Sequence, residues 1–527
     1  MTTTLLLGGR VHSPGRAGSG APKSREATAM AVRGDTVLWV GSDAEALDRF
    51  DPRDVEALRL DGALVMPAFV DAHVHATSAG LLLTGLDLTA CSTLAECLDA
   101  VRRLAAVSDE PLLWGHGWDE TRWRAGPRRP PTRRELDDAA HGRPLYLSRI
   151  DVHSALVSSA LLTSAPGAAG LPGYSANGPL CRDAHHAVRR SALARLTPAQ
   201  RRAAQRAFLS SAASRGIGCV HECAGPDISG VDDLRDLLDE SDGGPAVVGY
   251  WGELVSSAEQ AREVLAGSGA HGLAGDLFVD GALGSRTAAL HAPYLDAPDS
   301  CGALYLSAAQ VADHVVACTE AGVQAGFHVI GDAGVATVVA GFAAAARRVG
   351  REALAARTHR LEHLEMISPA QAAELAGYGV VASVQPQFDA AWGGERGMYA
   401  QRLGADRALA MNPFAALFSA GMPLAFGSDA PVTPVDPWAS VRAAVHHHTP
   451  SARLSPEVAL AAHTAGGALA AGPGRPSDGV LMAGAAASYA VWDADGLAAA
   501  VDGPTPRCLR TVVRGRTIFA GEGALRT

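Results

Sequence analysis

The 527 residues are 48% hydrophobic and 19% charged, enough apolar material for a large packed core and too much for a disordered chain. A formal net charge of −10 leaves no basic footprint for nucleic acid. The 8 cysteines form no CxxC pair and read as buried thiols rather than a disulfide framework.

In chain order, the opening MTTTLLLGGRVHSPGR lacks a basic segment followed by a long apolar one, so it does not read as a signal peptide. No apolar run free of breakers reaches bilayer length. The expectation is a soluble cytoplasmic protein with a small-molecule substrate and neither a nucleic-acid nor a membrane partner. A homo-oligomer is left open. Residues 3–12 and 29–41 predict short strands broken at Gly-Arg and Gly-Asp turns, and 488–495 and 509–521 repeat that style at the other end. Both ends read as pieces of small β-sheet.

The middle alternates. Short apolar strands are predicted at 62–75, 216–225, 245–253, 275–281, 323–332, 359–366, 379–388 and 422–431. Ala-rich helical stretches lie between most of them, such as 307–322 and 368–379, where Ser307 and Ser368 stand as N-caps and a glycine closes each. This rhythm predicts parallel βαβ units, and eight strands is the number that closes a (β/α)8 barrel. Residues from about 90 to 210 break the rhythm, with a Pro/Arg-rich run at 126–134 and a Gly/Pro-rich loop at 166–179. They are read as an insertion folding over the barrel mouth. The run at 471–479 is read as the linker back to the small sheet.

Histidines and acids fall at predicted strand ends. His73 and His75 end the first strand, and residues two apart share a face, so both imidazoles can reach one point. His328 ends the fifth strand, His363 the sixth and Asp429 the eighth. Barrel strand ends converge on one mouth, so four imidazoles and a carboxylate there suit a divalent metal, with zinc as the expected ion. Taken singly each is weak: a lone histidine is as often a satisfied core residue, and a Ser-Asp pair is usually a turn. The run His446–His448 looks metal-like but lies in a helical stretch past the last strand, and is read as a surface or mouth feature.

The segments VMPAFVDAHVH (65–75), DGALGSRTAAL (280–290), GFHVIGD (326–332), RLEH (360–363), VASVQPQF (381–388) and FGSDAPV (426–432) resemble the amidohydrolase superfamily. More narrowly they resemble its amidohydrolase-3 branch, which includes N-substituted formamide deformylases. The resemblance runs nearly the whole chain. It implies a (β/α)8 barrel over residues 61–479 beside a composite β-sandwich built from 1–60 and 480–527. It also implies metal binding by His73, His75, His328, His363 and Asp429, with Asp429 taking a proton from the nucleophilic water. Many members carry a carboxylated lysine that bridges two metals on the fourth strand. Here that position is Asp276, and the chain's one lysine, Lys23, is far away in sequence. Asp276 can still offer a carboxylate, so the expected ion count is one or two.

The function expected is hydrolysis of a C–N bond of amide, N-formyl or N-acyl type by a metal-activated water, with Asp429 as general base. Trp118, His153, Arg286, Gln385 and Trp392 are candidates to contact substrate, and each could equally be packing or, for Arg286, a structural ion pair. The alternatives are a binding protein that has lost its chemistry on the same fold, and a cyclic amidase or deaminase.

Overall fold

The computed structural model describes residues 2–14, 27–51, 53–241, 243–472 and 479–521. Lys23 and most of the 471–479 run lie outside them. Among the described residues no helix is long and apolar enough to cross a membrane.

The two chain ends supply two sheets. In one, Thr3–Leu7 lies between Ala29–Arg33 and Val55–Arg59, with Thr36–Gly41 at the edge. The other runs Arg10–Val11, Leu64–Pro67, Tyr489–Trp492, Cys508–Val513, Arg516–Ala520. Alternate residues of a strand share a face. That periodicity puts Leu6, Met30, Val32 and Leu58 of the first sheet into one apolar core with Val65, Tyr489, Val491 and Val512 of the second. The run 62–75, read from sequence as one strand, is divided. Leu64–Pro67 pairs with Tyr489–Trp492, and Phe69–Val74 turns into the central strands. Pro67 has no N–H to continue a ladder, which suits a change of partner at that point.

The central strands are parallel. Phe69–Val74, Ile217–Ala224 and Ala246–Trp251 form one ladder; Gly326–Val329, Arg360–His363, Val381–Val384 and Leu424–Phe426 form another. Single parallel bridges link them: Val74 to Ala430 on one side, and Tyr250 to Gly272, Leu273 to Ala325 and Phe278 to His328 on the other. The strand expected at 275–281 is thus reduced to a bridge. Gly275 sits at φ +81° and the Leu277 amide turns back to its carbonyl, which breaks the ladder and aims Asp276 inward. Helix Ala308–Ala321 has the expected Ser307 capping box and ends on left-handed Gly322, and Pro369–Ala376 is capped by Ser368.

The 90–210 region is more regular than its composition predicts. Strands Leu86–Asp87, Leu113–Trp118, Leu145–Arg149, Ser154–Val157 and Leu180–Cys181 form a five-stranded sheet. It packs against helices Leu94–Val107, Arg133–Ala139 and Arg182–Leu193 around two apolar cores of its own. The Pro/Arg-rich run leads directly into the Thr132 capping box of Arg133–Ala139.

Among the parallel strands a charged post crosses the core. The guanidinium of fully buried Arg360 donates to the Ala72 carbonyl at 2.6 Å and the Ser383 hydroxyl at 3.0 Å, and meets His221 Nδ1 at 3.0 Å. It also pairs with Glu362 at 2.5 and 3.0 Å and stacks 4.4 Å from the Tyr250 ring. It ties several parallel strands together just beneath the site.

Candidate metal centre and active site

His73, His75, Asp276, His328, His363 and Asp429 converge. Asp276 Oδ1 lies 3.4 Å from His73 Nε2, 3.6 Å from His328 Nδ1 and 4.0 Å from His363 Nε2, while its Oδ2 lies 3.1 Å from His75 Nε2. Asp429 Oδ1 is 3.1 Å from His75 Nε2 and 3.5 Å from His73 Nε2. One short carboxylate therefore touches both histidine pairs. Among the described residues, ligand-type atoms of four sets fall within 4.8 Å of one another: His73, His75 and Asp276; His73, His363 and Asp429; Asp276, His328 and His363; and His73, Cys223 and Glu362.

The surroundings orient these rings. His73 Nδ1 donates to Glu362 at 2.8 Å and His363 Nδ1 donates to Gln385 Oε1 at 2.7 Å, which leaves each Nε2 lone pair facing inward. Asp71 accepts from the Ser428 amide at 2.7 Å and so joins the strand of His73 to the segment of Asp429. A Cβ on Gly427 would stand 2.5 Å from the His73 amide nitrogen, so this close approach admits glycine alone. Asp280 accepts the amides of Ile330 and Gly331 and holds the turn after His328. His363 and Asp429 both have left-handed backbones, at φ 74° and 54°. Non-glycine residues hold such angles at a cost, and they cluster at functional sites.

Burial opposes charge on every group here, yet mutual attraction overrides it at several. It pulls His75 down, but Asp276 and Asp429 raise it to about 9. The same histidines hold Asp276 and Asp429 below the usual carboxylate range against burial. Burial, with the neighbouring His328, lowers His363 to about 3.

The donor set fits a divalent cation. His73 Nε2, His328 Nδ1, His363 Nε2, Asp276 Oδ1 and Asp429 Oδ1 are all buried without a hydrogen-bond partner. Buried polar atoms rarely stay unpaired, and five of imidazole and carboxylate type aimed at one point have the chemistry of a metal site.

Beside this cluster is a small cavity whose lining includes His328, His363 and Asp429. Of the substrate candidates, His153 and Trp392 line it. His153 stands 5.0 Å from His328, ring to ring, and burial with the neighbouring His328 lowers it to about 4. Gln385 acts instead through His363. Trp118 sits in the core of the inserted unit with its indole donating to the Leu147 carbonyl, and is not among the lining residues. Arg286 also stands outside the lining and pairs with Asp296 at 2.7 Å. Asp332, which opens helix Asp332–Val349, accepts the His291 amide. Of the histidine run read as a surface or mouth feature, His446 and His448 are exposed, but His447 is buried, 3.4 Å from buried Asp389, which also pairs with His448.

Sequence reasoning missed Asp119, Arg149, Asp151, Glu365, Phe388 and Tyr399 in the lining. Arg149 ends the strand Leu145–Arg149, and Asp151 and His153 lie in the turn that follows, where no periodicity announces them.

The sequence profile of the Amidohydrolase family matches residues 57–519. "Protein LONG AFTER FAR-RED 3" of Arabidopsis thaliana is 27% identical over 503 residues, covering 86% of this chain and 84% of that protein. An N-substituted formamide deformylase of Arthrobacter pascens is 31% identical over 138 residues, 26% of this chain and 25% of its own. The crystal structure of an uncharacterised metal-dependent hydrolase of Pyrococcus furiosus superposes with a TM-score of 0.70 at 25% identity, over 93% of this chain and 98% of that one.

Proposed function

The chain belongs to the amidohydrolase family, and from that premise we propose that it is a metal-dependent hydrolase cleaving a C–N bond of amide, N-formyl or N-acyl type. The observation that carries the reading is the convergence of five unpartnered imidazole and carboxylate atoms beside a cavity. The parallel ladders and their linking bridges support a closed (β/α)8 barrel around it. The core shared by the two end sheets supports one composite β-sandwich.

His73, His75, His328, His363, Asp276 and Asp429 would hold the ion, for which zinc suits the nitrogen-rich donors. A divalent cation there supplies Lewis acidity and makes water nucleophilic near neutral pH. Asp429 accepts the water's proton and returns it to the leaving nitrogen. His153 and Trp392, both in the cavity's lining, contact the bound substrate.

Asp276 carries the ion count. Because its Oδ1 faces His73, His328 and His363 and its Oδ2 faces His75, Asp276 would be able to offer an oxygen to a second ion. Elemental analysis of purified protein, beside a hydrolysis screen on N-formyl and N-acyl amines, tests the whole proposal. Two ions per chain and turnover lost on chelation are expected, with Asp276→Asn lowering both occupancy and rate. Occupancy unchanged in Asp276→Asn reduces the site to one ion. Full metal loading without hydrolysis of any amide in the screen overturns the catalytic reading in favour of a binding protein.

A further inference from the structure

Among the described residues four arginines are buried: Arg149, Arg189, Arg360 and Arg402. Three have their charge answered. Arg149 is surrounded by Asp119, Glu120 and Asp151, Arg360 pairs with Glu362, and Arg402 pairs with Asp296. Arg189 is different. It is 6% exposed, and among the described residues no acid stands within ion-pair distance of it. Its Nε is buried without a hydrogen-bond partner. A guanidinium keeps its charge even when buried, so leaving it without a counter-ion is costly. Such a group at a cavity is suited to an anion that arrives as a ligand.

Arg189 does border a cavity. Helix Arg182–Leu193 of the inserted unit turns His185 and Arg189, four residues apart, to one buried face. Both line a second small cavity, whose lining also includes Asp276 of the metal cluster. His153 lines this cavity and the first one, so both border the cluster. His185 adds a donor. Burial, with His186 and Arg189 nearby, holds its pKa well below the ordinary histidine value, so the ring is neutral. The Tyr146 hydroxyl lies 2.8 Å from His185 Nε2, and His185 Nδ1 is buried without a partner. A neutral ring that accepts the phenol's proton at Nε2 carries its own proton on Nδ1. The other acid of this lining, Asp227, already pairs with Arg190 and stands 3.8 Å from His186.

Hydrolysis of an amide creates an anion from a neutral acyl half. The acyl carbon gains the water's oxygen, the C–N bond breaks, and the proton goes to the departing nitrogen. We propose that Arg189 and His185 form a carboxylate site in the second cavity, and that it receives the short acid released at the metal centre. A planar carboxylate matches the guanidinium fork, and the small cavity limits the acid to a short chain. The origin of the acid rests on the hydrolase reading, but the site itself does not.

The test is calorimetric binding of sodium acetate to the metal-loaded protein, with sodium chloride at equal ionic strength as reference. Acetate should bind the wild type more tightly than chloride does, and should still bind after chelation. Arg189→Met should weaken acetate by at least about tenfold, the scale of one charge-assisted hydrogen bond. In chloride alone that variant should unfold at no lower temperature than the wild type, because it removes a buried charge that has no partner. On an amide that is turned over, acetate should inhibit the wild type and lose that effect in Arg189→Met. If Arg189→Met does not fold, Arg189→Lys carries the comparison, since it keeps the charge but not the fork and should weaken acetate in part. Acetate bound no better than chloride overturns the proposal without any variant. Affinity unchanged in the folded variant also overturns it, as does binding abolished by chelation, which would put the acid on the metal. Acetate binding that depends on Arg189 in a protein that hydrolyses no amide supports the site and removes only the origin of its acid. Turnover without acetate binding keeps the hydrolase reading and removes the site.

Discussion

Asp429→Asn lowers turnover by about 10²–10⁴-fold, the range typical of losing a general acid–base group. The substitution isolates the proton because little else changes. Asn has the same shape, and it is among the few residues that tolerate the left-handed backbone of position 429 (φ 54°). The amide oxygen can still stand 3.1 Å from His75, as Asp429 Oδ1 does. Metal content should fall less than rate, since four histidines and Asp276 remain to hold the ion. Steady-state kcat on a substrate found in the amide screen, read beside elemental analysis, checks both halves. Undiminished turnover in a fully loaded Asp429→Asn protein would remove Asp429 from the chemistry, whatever the ion count.

Arg360→Leu should destabilise the protein by about 3–5 kcal/mol, the cost of leaving a buried charge without its partner. Glu362 is fully buried, and without the guanidinium its carboxylate keeps only the His73 imidazole. The loss reaches the site, because Glu362 fixes which His73 nitrogen faces the metal. Disturbing such a ligand support typically costs 10–100-fold in metal affinity, on the order measurable by chelator competition. The acid side carries a second signature. Burial tends to raise the Glu362 pKa, but Arg360 and His73 hold it well below its ordinary 4.5. A depressed carboxylate contributes stability above its unfolded pKa and loses it as pH falls toward the folded value. The gap between wild type and Arg360→Leu in denaturant titrations should therefore narrow below pH 4.5. Replacing both residues by leucine should recover part of the loss, since an apolar pair can fill what a broken ion pair cannot. A gap under about 1 kcal/mol at neutral pH would mean that Glu362 is not carrying a buried charge there.

What the sequence determined by itself is what local geometry decides. Two-residue spacing put His73 and His75 on one face, and the capping boxes at Ser307 and Ser368 are satisfied within four residues of chain. Strand-end position was enough to select His328, His363 and Asp429 as one group, because parallel strands deliver their C-terminal ends to the same side. The tertiary structure decided everything that depends on partners far apart along the chain. Glu362 meets His73 across 289 residues and Ser428 meets Asp71 across 357, and no periodicity announces either. The same holds for the division of 62–75 between two sheets, decided by whether Tyr489–Trp492 or Ile217–Ala224 is the available neighbour. A side chain's type is local; whether its charge has been answered is a property of the packed interior, where desolvation makes each missing partner count.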